Sequence, residues 1–103
     1  MANQMIIYEI TATVRADLTG EYETFMIERH IPDLHATGSF EGASLSRSTK
    51  GRYRIRYEAR SRDALDQYLA EHASRLRQHV ADTFPDGIQL SREEWEHIQT
   101  WDL

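Results

Sequence analysis

The chain has 103 residues, 17 acidic side chains against 12 basic ones, and no cysteine. A chain of that length folds as one domain around one core without staples, and the lack of cysteine removes disulfide scaffolds, thiol nucleophiles and cysteine zinc sites together. A net charge of −5 and a hydrophobic content of 40% exclude a disordered chain and a nucleic-acid binder that works by bulk attraction.

Met1 to Gln4 has neither the basic start nor the apolar stretch of a signal peptide, and no run is long enough to span a bilayer. The expected compartment is therefore the cytoplasm, with no membrane partner. Met5 to Val14 reads as a strand with Ile6, Tyr8, Ile10, Ala12 and Val14 on one face and Met5, Ile7, Glu9, Thr11 and Thr13 on the other. Asp17 is placed to cap a helix that carries Leu18, Tyr22, Phe25 and Met26 at three- and four-residue spacing. Pro32 predicts a break near His30 and Ile31, then a short second turn that ends at Gly38.

Phe40 to Ser48 and Arg52 to Arg60 read as strands joined through Thr49, Lys50 and Gly51, since glycine supplies the positive φ of a tight turn. In the later strand Tyr53, Ile55 and Tyr57 alternate with Arg52, Arg54, Arg56 and Glu58, a clean period of two. Ser61 suits an N-cap, and Leu65, Tyr68, Leu69, His72, Leu76, Val80 and Phe84 predict one long helix with His72 near its centre. Pro85 and Gly87 end it. A last strand starts at Gly87 to Leu90; Ser91 and Glu94 also spell a capping box, so Arg92 to Trp101 is open to strand or helix, with strand preferred.

The order strand, helix, strand, strand, helix, strand is the split βαβ plan. It predicts an α+β, ferredoxin-like βαββαβ domain over residues 1–103, with a four-stranded antiparallel sheet and both helices on one face. The other sheet face carries Met5 and Ile7, so a second copy laid sheet to sheet is the expected cover, giving a homodimer.

Met5 to Thr11, Phe25–Met26 followed by His30–Ile31–Pro32–Asp33, Thr37–Gly38–Ser39–Phe40 with Ala43, and Tyr53 to Tyr57 running into the Ser61 helix together resemble an uncharacterised bacterial domain family. That family is similar to the dimeric α+β barrel superfamily, which includes antibiotic-biosynthesis monooxygenases, ethyl-tert-butyl-ether-degradation proteins and stress-responsive barrel proteins. The resemblance covers Met5 to about Trp95. It implies a homodimer of facing sheets with a ligand cavity inside the barrel or between sheet and helices, and it implies no particular activity. The Met1 to Gln4 extension and the tail from Trp95 to Trp101 depart from the family's pattern.

Among candidate site residues, His30 shares a helix face with Met26 and Tyr22 and stands at the expected break. It reads either as a general acid/base at a cavity mouth, supported by Tyr8 or Tyr57, or as a cationic cap on free helix carbonyls. His72 reads either as a ligand contact or as a buried neutral histidine bonded to a strand or a tyrosine. His79 lies too far along the helix from His72 to share a metal, no His-Glu-x-x-His element occurs, and no metal or other cofactor is expected.

Arg52, Arg54 and Arg56 project from one strand face near Glu9. They either grip an anionic small molecule, with Arg54 and Arg56 as the ligand contacts, or close ion pairs with Glu9, Glu41 or Glu58. Eleven of the 12 basic residues are arginine, and from Arg47 to Arg62 seven basic residues meet only Glu58. Three functions follow as expectations: a dimeric barrel that binds a small organic ligand, anions included; a cofactor-independent enzyme of monooxygenase or isomerase type using His30; and a structural or interaction dimer without a ligand.

Overall fold

The computed structural model describes residues 4–102, so all of the Met1 to Gln4 extension but Gln4 lies outside the described residues. The strands are β1 (Ile6–Val14), β2 (Gly42–Arg47), β3 (Arg52–Ala59) and β4 (Ile88–Glu96). They form one antiparallel sheet in the order β2-β3-β1-β4. The helices are α1 (Thr19–Phe25), α2 (Ile31–Ala36), α3 (Arg62–Glu71) and α4 (Ala73–Thr83), with a 3-10 turn at Ala16–Leu18 ahead of α1. No helix among the described residues is long and apolar enough to cross a membrane.

The period-two pattern sets the layers. Tyr8 pairs with Tyr57, Ile10 with Ile55 and Ala12 with Tyr53, and paired residues share a face. These side chains, with Ile6, Val14 and Ala59, pack against Tyr22, Phe25, Leu34, Leu65, Tyr68, Leu76 and Phe84 from the helices and loops to form the core. Gly51 closes the β2–β3 turn at φ 85°, and its carbonyl accepts from the Val14 N–H at 2.7 Å, tying the turn to β1.

Four expectations need correction. First, the chain does not break at Pro32. Phe25, Met26, His30 and Ile31 all keep right-handed helical backbone, and Met26–His30 forms a π turn in which the Ile31 N–H reaches Met26 O. Proline has no N–H for the carbonyl four residues back and its ring crowds that carbonyl; one widened turn ahead of it absorbs the conflict while the helix continues. Second, the long second helix is two, divided at His72, whose backbone sits at φ −125°, ψ −31°.

Third, Asp17 does not cap α1. Its carboxylate is taken by Arg15 at 2.6 Å, a charge-assisted pair stronger than an N-cap bond to a neutral amide. Fourth, Ile7 is not bare apolar surface: it is 3% exposed, flanked in register by Glu58 and Trp95. The exposed apolar side chains on that side are instead Trp95, Ile98 and Trp101, which border one groove with Ile7, Arg54 and Arg56. The Ser91–Glu94 capping box is unused because residues 88–96 pair along the whole of β1 from Val14 to Ile6; of the stretch Arg92 to Trp101, where strand or helix was open, Arg92 to Glu96 is strand and His97 to Trp101 takes neither form.

Candidate functional site

A pocket opens between the sheet and the helices, and its lining includes Tyr8, His30, Tyr57, Tyr68, Arg77 and Arg92. Its free space is about 30 Å³, room for one water molecule. Tyr8 and Tyr57 reach it from adjacent central strands, and their rings, with Tyr68 and Phe40, form an aromatic cluster with centroid separations of 4.8 to 6.4 Å. Arg77 and Arg92 are exposed at its mouth. The Arg77 guanidinium donates to Tyr8 Oη at 2.9 Å.

The π turn aims His30. In an unbroken α-helix, side chains five apart point about 140° away from each other, yet the His30 ring stacks on Phe25 at 5.7 Å with planes 23° apart. Burial of the imidazole pulls its pKa down to about 4, with His79 and Arg92 adding repulsion and Asp33 opposing them. The ring is therefore neutral near pH 7, and its Nδ1 is buried without a hydrogen-bond partner among the described residues. This differs from the expected cationic cap, because the helix runs on through His30 and burial holds the ring neutral. Tyr57 Oη and His79 Nδ1 are likewise buried without partners. Burial raises the Tyr57 hydroxyl pKa strongly and that of Tyr68 to about 12, so both remain protonated donors.

The structure brings Tyr8, His30 and Tyr57 together and separates them from the other predicted site residues. Arg54 and Arg56 stand on the opposite sheet face, with their Nε atoms 3.9 and 3.6 Å from Glu9 Oε1. His72 sits at the α3–α4 junction, partly exposed, near Arg75 at 3.5 Å and Glu71 at 3.9 Å, in a polar cleft with Thr37, Ser39 and Arg60. It packs on Tyr68 at 6.3 Å but does not reach the pocket as a lining residue.

Tyr68, which the sequence offers as part of the apolar seam around His72, completes the site with Arg77 and Arg92, which were not singled out from sequence. Each had a signal. Arg77 falls four residues after Ala73 and three before Val80, both on the packed side of α4, and Arg92 continues the inward alternation of Ile88 and Leu90. Among the described residues no group of three or more His, Asp or Glu side chains is placed to hold a metal ion.

The sequence profile of DUF4286, a domain of unknown function, matches residues 5–98. None of the curated proteins compared with the chain matches it. Among solved structures, a dimeric ferredoxin-like protein from an uncultured marine organism superposes with a TM-score of 0.66 at 14% identity, over 96% of this chain and 100% of that one. The de novo designed protein Foldit4 superposes with a TM-score of 0.58 at 7% identity, over 90% of this chain and 97% of that one. The chain thus has the α+β, ferredoxin-like fold.

Proposed function

The chain belongs to the DUF4286 family, whose function is unknown, and from that premise we propose that it is a homodimeric small-molecule-binding protein with its ligand site in the tyrosine pocket. One observation carries this reading: His30 Nδ1 and Tyr57 Oη are buried at the pocket without partners among the described residues. A buried polar group left unpaired costs about 1–3 kcal/mol. Two in one pocket, Tyr57 from the sheet and His30 from the helical layer, are what a group from outside the chain would complete.

The lining defines the ligand's chemistry. The tyrosine rings offer faces for a planar group, Tyr57 and Tyr68 offer hydroxyl donors, and the two mouth arginines favour an anionic end. A small planar organic acid fits that set. Because the pocket has room for about one water, the ligand displaces it by moving Met26, whose unbranched side chain repacks readily, and the π turn that carries both Met26 and His30.

A thermal-shift screen over small organic and aromatic acids tests this. A binder at 100 times its dissociation constant adds about 2.7 kcal/mol, and its effect should be lost in Tyr57→Phe and Arg92→Gln. A hit that stabilises both variants as much as the parent places the ligand elsewhere.

A second reading, an enzyme in which His30 moves a proton, is favoured by the neutral imidazole with a free Nδ1 at the pocket wall. A His30→Ala variant that turns over the same ligand at the parental rate removes it. For the assembly, the exposed Trp95, Ile98 and Trp101 supply an apolar patch at the Ile7 end of the open sheet face, and that end is what a second copy would cover.

A further inference from the structure

The open face of the sheet has two chemically different ends. Where β3 meets β1, Arg54 stands opposite Thr11 and Arg52 opposite Thr13. On the flanks, Arg54 pairs with Ser46, Thr11 with Ser91 and Thr13 with Gln89. These two rows therefore present two guanidiniums among four hydroxyls and one amide. Their described residues include no carboxylate. The next row reverses the pattern: Arg56 faces Glu9, and Glu9 faces Glu93.

Among the described residues the one carboxylate in an ion pair with Arg54 is Glu9, 3.9 Å from its Nε and beyond hydrogen bonding. Glu9 Oε1 lies closer to Arg56, at 3.6 Å. Arg52 enters none of the ion pairs among the described residues. Arg47, next along the hairpin, is already engaged by Glu23 at 2.9 Å. A cleft of about 350 Å³ lies over this end, bordered by Thr11, Ser46, Ser48, Arg52 and Arg54 among others.

We propose that this hairpin end of the sheet is a second ligand site, for a tetrahedral oxyanion such as phosphate or the phosphoryl group of a small molecule. The two adjacent guanidiniums have one counter-charge near them, Glu9, which Arg54 shares with Arg56; they repel each other, and a bound dianion reverses that repulsion. Each guanidinium donates in a paired fork, while Thr11, Ser46 and Ser48 supply hydroxyl donors for the remaining oxygens. A planar carboxylate has two oxygens and would leave several of these donors idle. The site is separate from the tyrosine pocket, which lies across the sheet. It is also four residues, about 13 Å, along β1 from the Ile7–Trp95 row that borders the apolar groove.

The test is an NMR titration of the full chain with inorganic phosphate, with ionic strength held constant by sodium chloride and the arginine Nε–H signals followed. Saturable shifts confined to Thr11, Ser46, Arg52 and Arg54 are expected. Binding should weaken at least ten-fold in both Arg52→Gln and Arg54→Gln and stay unchanged in Tyr57→Phe. A parallel arm with phenyl phosphate separates free phosphate from a phosphorylated small molecule: tighter binding identifies the organic phosphate as the better ligand, equal binding the phosphoryl group alone. Shifts that do not saturate, that chloride reproduces, or that persist in both arginine variants overturn the proposal. Both arginines are exposed, so the variants should fold, and Arg54→Lys, which keeps the charge and loses the fork, should bind with intermediate affinity.

Discussion

His30 is held neutral against Phe25, and that sets a pH dependence of stability. Its folded pKa of about 4 lies below the ordinary value of 6.5, so between those pH values the unfolded chain binds a proton that the folded chain refuses. The stabilisation is complete above pH 6.5, falls as the pH drops towards 4 and levels off below it. The full loss is about 3 kcal/mol. Urea denaturation at pH 7 and pH 4.5 should show it as a difference between the parent and His30→Gln; parallel curves for the two proteins would contradict it. Tyr57 makes a complementary case. Replacing it with Phe deletes a hydroxyl that has no partner among the described residues, so the variant should be as stable as the parent or up to about 1 kcal/mol more stable by denaturation, while losing the ligand. A destabilisation of 2 kcal/mol or more would mean that the hydroxyl serves the fold.

At the scale of elements, the strands were legible because alternation is short-ranged and the Tyr53–Glu58 repeat is strict. β4 was recoverable despite its capping box, since a strand there completes the sheet. The helical interruptions were harder to read. Pro32 announces a conflict in the ladder, but whether a helix breaks or widens depends on what the next turns pack against, and Leu34 is buried, holding α2 in line. The seam from Leu65 to Phe84 hides the His72 kink because its apolar spacing continues across both helices. Alternation also shows that Arg54 and Arg56 cannot share a pocket with Tyr57, a constraint that a list of chemically apt residues overlooks. Gly51 tests the turn: at φ 85° an added Cβ would lie 2.7 Å from the Val14 carbonyl oxygen. Gly51→Ala should cost about 2 kcal/mol or more in chemical denaturation; a neutral result would mean the turn shifts freely off β1.

At the scale of the molecule, the net charge of −5 is a difference between opposed regions: Arg47 to Arg62 sums to +6 and the remaining residues to −11. The fold then divides the chemistry by face, with tyrosines and a neutral histidine under the helices and arginines, carboxylates and tryptophans on the open side. Light scattering should give a dimer at micromolar concentration, and Trp95→Ala with Trp101→Ala should shift it towards monomer. A parent protein that is monomeric there would contradict the assembly. The tyrosine pocket is tested most directly by the crystal structure of the protein soaked with the strongest organic-acid hit of the thermal screen. The acid should lie between sheet and helices, hydrogen-bonded to Tyr57 Oη or His30 Nδ1 with its anionic end at Arg77 or Arg92. A ligand bound only on the open sheet face, with the pocket still closed to one water's volume, would contradict it.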